Sequence, residues 1–170
     1  MDCVIDTSAV SWIERIGRLD LLGQVYKKIY APSKVIEELY NHIPTQKFIE
    51  ERIDIVDFKN EKGKRRFDKL VKRWSRKIDF KDIADIEVFI AYKFFTDADE
   101  AVYANKNAEY KLSKYGRIRD IANIYELAQD KGIFNANESI NYLKSFLILY
   151  PAYRPGFIKG LIRKLGNSTD

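Results

Sequence analysis

Asp6 ends a short apolar run, Cys3-Val4-Ile5, and an amphipathic run begins directly after it at Thr7-Ser8. A strand that feeds a helix through one Asp sets a carboxylate at the carboxyl edge of a buried sheet, where open α/β folds gather their ligands. Phe94-Phe95-Thr96-Asp97 repeats the pattern, so Asp97 is expected at a second such strand end. In a parallel sheet, right-handed crossovers return both strands in the same direction and bring the two acids to one edge. A helix expected over 82–93 directly precedes the Asp97 strand, so its first turn can present Asp85 and Asp82 at that edge. Glu38 can join from a helix that follows a strand at 29–31.

Carboxylates 4 Å apart repel by about 1 kcal/mol in bulk water and by about 4 kcal/mol at an effective dielectric of 20, so such a nest takes up cations or protons. Oxygen donors without His or Cys select hard divalent ions, Mg²⁺ or Mn²⁺, which keep several waters. These ions turn a bound water into a nucleophile and stabilise charge on a phosphate, which makes phosphodiester hydrolysis the expected reaction class. The hydroxyls of Thr7 and Ser8 can reach a carboxylate or a bound water, but the commoner role of a hydroxyl just after a strand is to cap the helix, and that is the role expected. Taken singly, most of the acids have plain roles: Glu38 as an exposed helix residue, Asp82 as an N-cap, Glu87 as a surface charge and Asp99 as the cap of the next helix. Asp6 and Asp97 stand apart because each ends an apolar run.

Net charge is +5, unevenly spread: Lys62, Lys64, Arg65, Arg66, Lys69, Lys72, Arg73, Arg76 and Lys77 crowd one segment that holds only Glu61 and Asp68 as acids. Such a block favours a polyanion through counterion release, and RNA or DNA is the natural partner. Phe67 and Trp74, interleaved with the cations, can stack bases or pin the helix to the core. The lone histidine, His42, has neither an i, i+4 partner nor a cysteine cluster, so zinc and histidine catalysis are poorly served. The lone cysteine, Cys3, sits inside the first strand and reads as a small core residue.

The elements that must position the acids follow from apolar spacing. Short helices are expected over 9–16 and 19–26, a strand at 29–31 stopped by Pro32, and a helix capped by Ser33 that carries Val35, Ile36 and Leu39. A helix over 45–52 leads to an alternating strand at 53–58, and the basic segment then forms a helix. Ile83, Ile86, Ile90 and Phe94 form a helical stripe. Helical character is expected to resume over 100–110 on Ala101, Ala104 and Ala108, followed by a weak strand at 115–119 and a helix closed by Gly132. Two more helices, over 138–149 and 156–165, are separated by Pro151 and Pro155. The expected fold is α/β, a parallel sheet of about four to five strands with helices on both faces and extra helices at the C-terminal end. With 46% hydrophobic residues and no linker composition, one domain over 1–170 is expected, with a basic helical insertion around 59–78 and a helical tail over 137–166. No apolar run approaches the roughly 18 residues of a membrane helix and the chain start lacks a basic signal segment, so a soluble cytoplasmic protein with no membrane partner is expected.

Four segments in order resemble the PIN domain family, metal-dependent ribonucleases that include VapC-type toxins. Val4-Ile5-Asp6-Thr7-Ser8 resembles its opening motif, and Pro32-Ser33-Lys34-Val35-Ile36-Glu37-Glu38-Leu39 its second, in which the acid before Leu is the ligand. Asp82-Ile83-Ala84-Asp85-Ile86-Glu87 followed by Ala91 resembles the third, and Thr96-Asp97-Ala98-Asp99 followed by Ala101 the fourth. The segment from Tyr153 to Ile158 with Leu161 is similar to the tail of an archaeal and bacterial PIN-like subgroup. The resemblance implies a Rossmann-like three-layer fold that hydrolyses RNA with Mg²⁺ or Mn²⁺ held by Asp6, Glu38, Asp85 and Asp97. Asp82 and Asp99 stand in reserve, and Ala98 leaves open whether Asp97 or Asp99 is the ligand. Ser8, Lys64, Arg65, Arg66 and Arg73 would meet the substrate. A homodimer and a small antitoxin partner are further implications. The rival is a PIN-like module that has lost catalysis and binds RNA or a protein. Another acid-bearing α/β fold, such as a phosphoaspartate hydrolase or a receiver domain, ranks behind both, and the first of these wants an Asp where Ser8 stands.

Overall fold

The structure, a computed structural model, describes residues 1–40, 43–56, 58, 60–80 and 82–167. His42 and Asp57, the second inside the strand expected at 53–58, lie outside the described residues. Five strands, β1 (Asp2–Ile5), β2 (Lys28–Ala31), β3 (Ile53–Ile55), β4 (Glu100–Tyr103) and β5 (Ile118–Asp120), form one sheet in the order β3-β2-β1-β4-β5. Every pairing is parallel, with Val4 opposite Tyr30 on one side and Ala101 on the other. Cys3, Val4 and Ile5 are wholly buried, as a central parallel strand covered on both faces requires.

Ten α-helices flank the sheet among the described residues. From β1 the chain steps outward to β2 and β3 through α1 (Thr7–Arg15), α2 (Leu19–Val25), α3 (Ser33–Leu39) and α4 (Ile43–Arg52). It then returns across the sheet to β4 and β5 through α5 (Glu61–Ile78), α6 (Ile83–Phe94) and α7 (Lys106–Leu112). Right-handed crossovers in opposite directions place these two groups of helices on opposite faces. Accordingly α6 packs on β1 and β4, whereas α2 packs on β2 and on α8 (Ile124–Asp130). A 3₁₀ turn over Ile121–Asn123 precedes α8, and Gly132, at φ +69°, sits just past its end.

The basic segment folds as α5 because its other face is apolar. Phe67, Val71, Trp74 and Ile78 recur at helical spacing, and Trp74 meets Phe89 of α6 at 5.2 Å while Phe67 meets Phe95 at 5.4 Å. Asn60 caps its start by accepting from the Gly63 N–H at 2.9 Å. The tail is two helices, α9 (Ala136–Leu149) and α10 (Pro155–Gly166). Their junction is tied down by Trp12, which stacks on Tyr150 at 4.2 Å and meets Tyr153 edge-on at 4.1 Å. Among the described residues no helix is long and apolar enough to cross a membrane.

Two local expectations are corrected. Pro32 rather than Ser33 stands at the N-cap of α3, where no side chain caps the helix. The strand expected at 94–97 and the helix expected to start at 100 are both displaced: α6 runs on to Phe94, and the strand is Glu100–Tyr103. Glu100 is 0% exposed inside that strand, and its Oε1 accepts from Tyr26 Oη at 2.8 Å and Arg119 Nε at 2.6 Å. A buried carboxylate is tolerated only when it is paired and hydrogen-bonded, and these partners come from elements far away in the chain.

Candidate active site

The strand order reverses between β1 and β4, and the carboxyl ends of two strands that diverge there bound a crevice suited to ligands. A cavity of about 800 Å³ occupies this position, lined by Asp6, Glu38, Asp82, Asp85, Asn105 and Arg154 among others.

Asp6 follows β1, and its N–H donates to Val102 O of β4 at 3.1 Å. Its Oδ1 accepts from Ala9 N at 2.7 Å and so caps α1, and its Oδ2 accepts from Ser8 Oγ at 2.5 Å. The capping expected of Thr7 or Ser8 therefore belongs to Asp6. Both hydroxyls serve carboxylates instead, with Thr7 Oγ1 donating to Glu38 Oε2 at 2.6 Å. Asp85 arrives because α6 runs against the strand direction, which brings its first turn to the carboxyl edge. Tyr103 of β4 anchors that turn by donating from Oη to Asp85 O at 2.7 Å. Asp82 is the N-cap, accepting from Ala84 N at 3.0 Å. Asn105, just beyond β4, donates from Nδ2 to Asp85 Oδ2 at 2.6 Å while its Oδ1 caps α7.

Asp6 and Asp85 are each 5% exposed. Burial, with the charge of Asp82 adding to it, pushes Asp6 up to about 6 despite its hydrogen bonds to Ser8, Ala9 and Ala104. Burial, then the charges of Asp6 and Asp82, pushes Asp85 up to about 7 against the opposing bond from Asn105. A cation between the two would relieve both effects. Glu38 and Asp82 are exposed acids on the rim.

Among the described residues no three His, Cys, Asp or Glu side chains converge as a ready ligand cluster. Mg²⁺, however, is commonly held by one or two carboxylates with water and substrate phosphate completing its shell. The buried oxygen-only pair Asp6 and Asp85, with solvent access through the cavity, fits that requirement.

Asp97 and Asp99, expected as ligands, are corrected by the topology. Asp99 Oδ2 accepts from Asp2 N at 2.7 Å, which fixes it at the amino end of β1. Asp2 and Asp6 are four residues apart, about 13 Å along a strand, so neither Asp99 nor Asp97 shares a cation with Asp6. The chain passes the amino edge as it leaves α6, and the residue that emerges at the carboxyl edge after β4 is Asn105, an amide. Its signal was Ala101-Val102-Tyr103 followed by Ala104-Asn105, a repeat of the β1 pattern with Asx after the run.

The cations are also redistributed. Arg65, Arg66 and Arg73 line a different groove, beside Asp97, and Lys64 lies on another face near Ser33 and Ile55. Lys106 and Arg154, not singled out by spacing, are the basic residues lining the acidic cavity. Arg154 bonds Glu109 and, at 2.6 Å, Asp120. Comparison of the chain with protein-family models, curated proteins and solved structures finds no match.

Proposed function

We propose that the chain is a divalent-cation-dependent phosphodiesterase acting on RNA, of the PIN-like kind that its four sequence segments resemble. The observation that supports this reading most is the pair of buried acids, Asp6 and Asp85, lining one cavity at the strand-order reversal without a cationic partner of their own among the described residues. Asp6 and Asp85 would hold Mg²⁺ or Mn²⁺. When bound, such an ion supplies a more acidic water and neutralises charge on the phosphate. Ser8 and the Ala9 N–H keep Asp6 oriented, and Asn105 does the same for Asp85. Glu38, exposed and bonded by Thr7, would accept a proton from an attacking water. Lys106 meets the incoming phosphate from the cavity wall. A homodimer and a small antitoxin protein that covers this cavity belong to the same reading through the resemblance alone.

Cleavage of an end-labelled RNA in Mn²⁺, with an EDTA control, is the test. Wild type is expected to cut, and Asp6→Asn and Asp85→Asn to cut roughly 100-fold more slowly or worse, beyond the usual effect of losing an outer-shell partner. Equal rates in all three proteins would end the assignment.

A second reading, a module that binds RNA or a protein without cleaving, is favoured by one observation: the carboxyl end of β4 offers Asn105 where an acid would complete a ligand cluster. It predicts that wild type leaves RNA intact in Mn²⁺ and that Asn105→Asp gains cleavage.

A further inference from the structure

The acidic cavity leaves unexplained a second groove, of about 900 Å³, between α5 and the connection from α6 to β4. Lys62, Arg66, Lys69 and Arg73 line it, and their spacing of four, three and four residues puts them on one stripe of α5. None of these four forms an ion pair with a carboxylate among the described residues, whereas Arg65 beside them pairs with Glu61 at 2.9 Å. Like charges at this spacing repel one another and weaken the helix that carries them. An anion laid along the stripe would relieve that repulsion and release the counterions held there.

Three features narrow that anion. Phe94 is 36% exposed in the groove wall, and the Arg66 guanidinium lies 5.7 Å from the Phe95 ring centre, so flat apolar and guanidinium surfaces sit among the cations. Nucleobases stack on such surfaces, and acidic side chains do not. Asp97 lies in the same groove and forms no ion pair among the described residues. A carboxylate there repels a ligand made only of anionic groups but accepts from the exocyclic amine of a base. Finally, the groove is at the amino edge of the sheet. The 12 residues of α6 span about 18 Å, and that length separates the groove from the turn bearing Asp85.

We propose that this groove is a binding site for single-stranded RNA, separate from the acidic cavity by about the 18 Å length of α6. The inference deepens the reading above and rests on it only for the strand being a substrate; binding itself is independent of cleavage.

Fluorescence anisotropy of a labelled 12-nucleotide single-stranded RNA in EDTA, over a salt series, tests it. Four phosphate contacts predict a log–log salt slope of roughly −3, and Arg66→Gln/Lys69→Gln/Arg73→Gln is expected to cut the slope to roughly −1 and weaken binding at least tenfold at low salt. Lys72→Gln/Arg76→Gln/Lys77→Gln removes the same charge from α5 outside the groove and is expected to bind close to wild type; circular dichroism checks both helices. If the two triple variants weaken alike, binding is diffuse and the site is refuted. If polyglutamate displaces the RNA as well as an equal charge of unlabelled RNA does, the occupant is an acidic polypeptide and the proposal is likewise refuted. A wild type that binds in this way yet never cuts in Mn²⁺ overturns the hydrolase reading and leaves the groove standing.

Discussion

At pH 8 the Asp85→Asn protein is expected to melt roughly 5 to 10 °C above wild type, and at pH 4 the two are expected to melt close together. Asp85 is 5% exposed, and burial followed by the charges of Asp6 and Asp82 raises it to about 7 in the folded chain. A carboxyl whose folded pKa lies above its unfolded one adds stability in its protonated form. That contribution is full below the unfolded pKa, near 4, and is lost as pH rises through about 7. At about 1.4 kcal/mol per unit the loss amounts to a few kcal/mol, shared with Asp6 because the two acids act on each other. Asparagine keeps the shape and still accepts from Asn105 Nδ2, but it never ionises. Thermal melts across pH 4 to 8 without divalent cations read this directly. A variant no more stable than wild type at pH 8 would show that Asp85 ionises freely, and the premise of a strained acid pair would fail.

Arg154→Ala is expected to lose about 3 to 5 kcal/mol, the usual penalty for leaving a buried charge without its partner. The Asp120 side chain is 0% exposed and bonds Arg154 Nη1 at 2.6 Å, Tyr153 Oη at 2.6 Å and Ala122 N at 2.9 Å. Without the guanidinium the carboxylate keeps two hydrogen bonds and no countercharge. Arg154 also bonds Glu109, so the change unties α7, β5 and the start of α10 together. Its backbone is left-handed, at φ 40°, a conformation that costs alanine as well. Arg154→Gly removes that cost and should remain destabilised. Adding Asp120→Asn to Arg154→Ala should restore part of the loss, because an amide needs no countercharge. Urea unfolding of the set checks this, and an unaltered double variant would place the penalty in packing rather than charge.

Local pattern carried much of the architecture. The apolar run ending at Asp6 is the central strand, and the stripe Ile83, Ile86 and Ile90 is α6, so the two acids that meet were both readable from spacing. The first strands after β1 alternate with helices, and a parallel sheet follows from that alternation. What spacing misplaced was β4. Ala101, Ala104 and Ala108 mimic a helical face, and Glu100 argues against a buried strand until Tyr26 and Arg119 are known to hold it. Shifting that strand from 94–97 to Glu100–Tyr103 moves Asp97 and Asp99 to the opposite edge and puts Asn105 at the site. The basic run was legible as a helix, but the end of the sheet that its cations reach depends on the packing direction of α5 on α6. The tie between Arg154 and Asp120 joins residues 34 apart in sequence, and no local rule pairs them.

The proposed capture of a hard divalent ion by Asp6 and Asp85 together can be read by Mn²⁺ titration calorimetry at pH 7. In two buffers of different ionisation enthalpy, wild type is expected to show one saturable site whose heat depends on the buffer, because Asp85 at about 7 gives up a proton as the ion binds. Asp6→Asn and Asp85→Asn are expected to lose that site. No saturable heat in wild type, or the same heat in either variant, would contradict it.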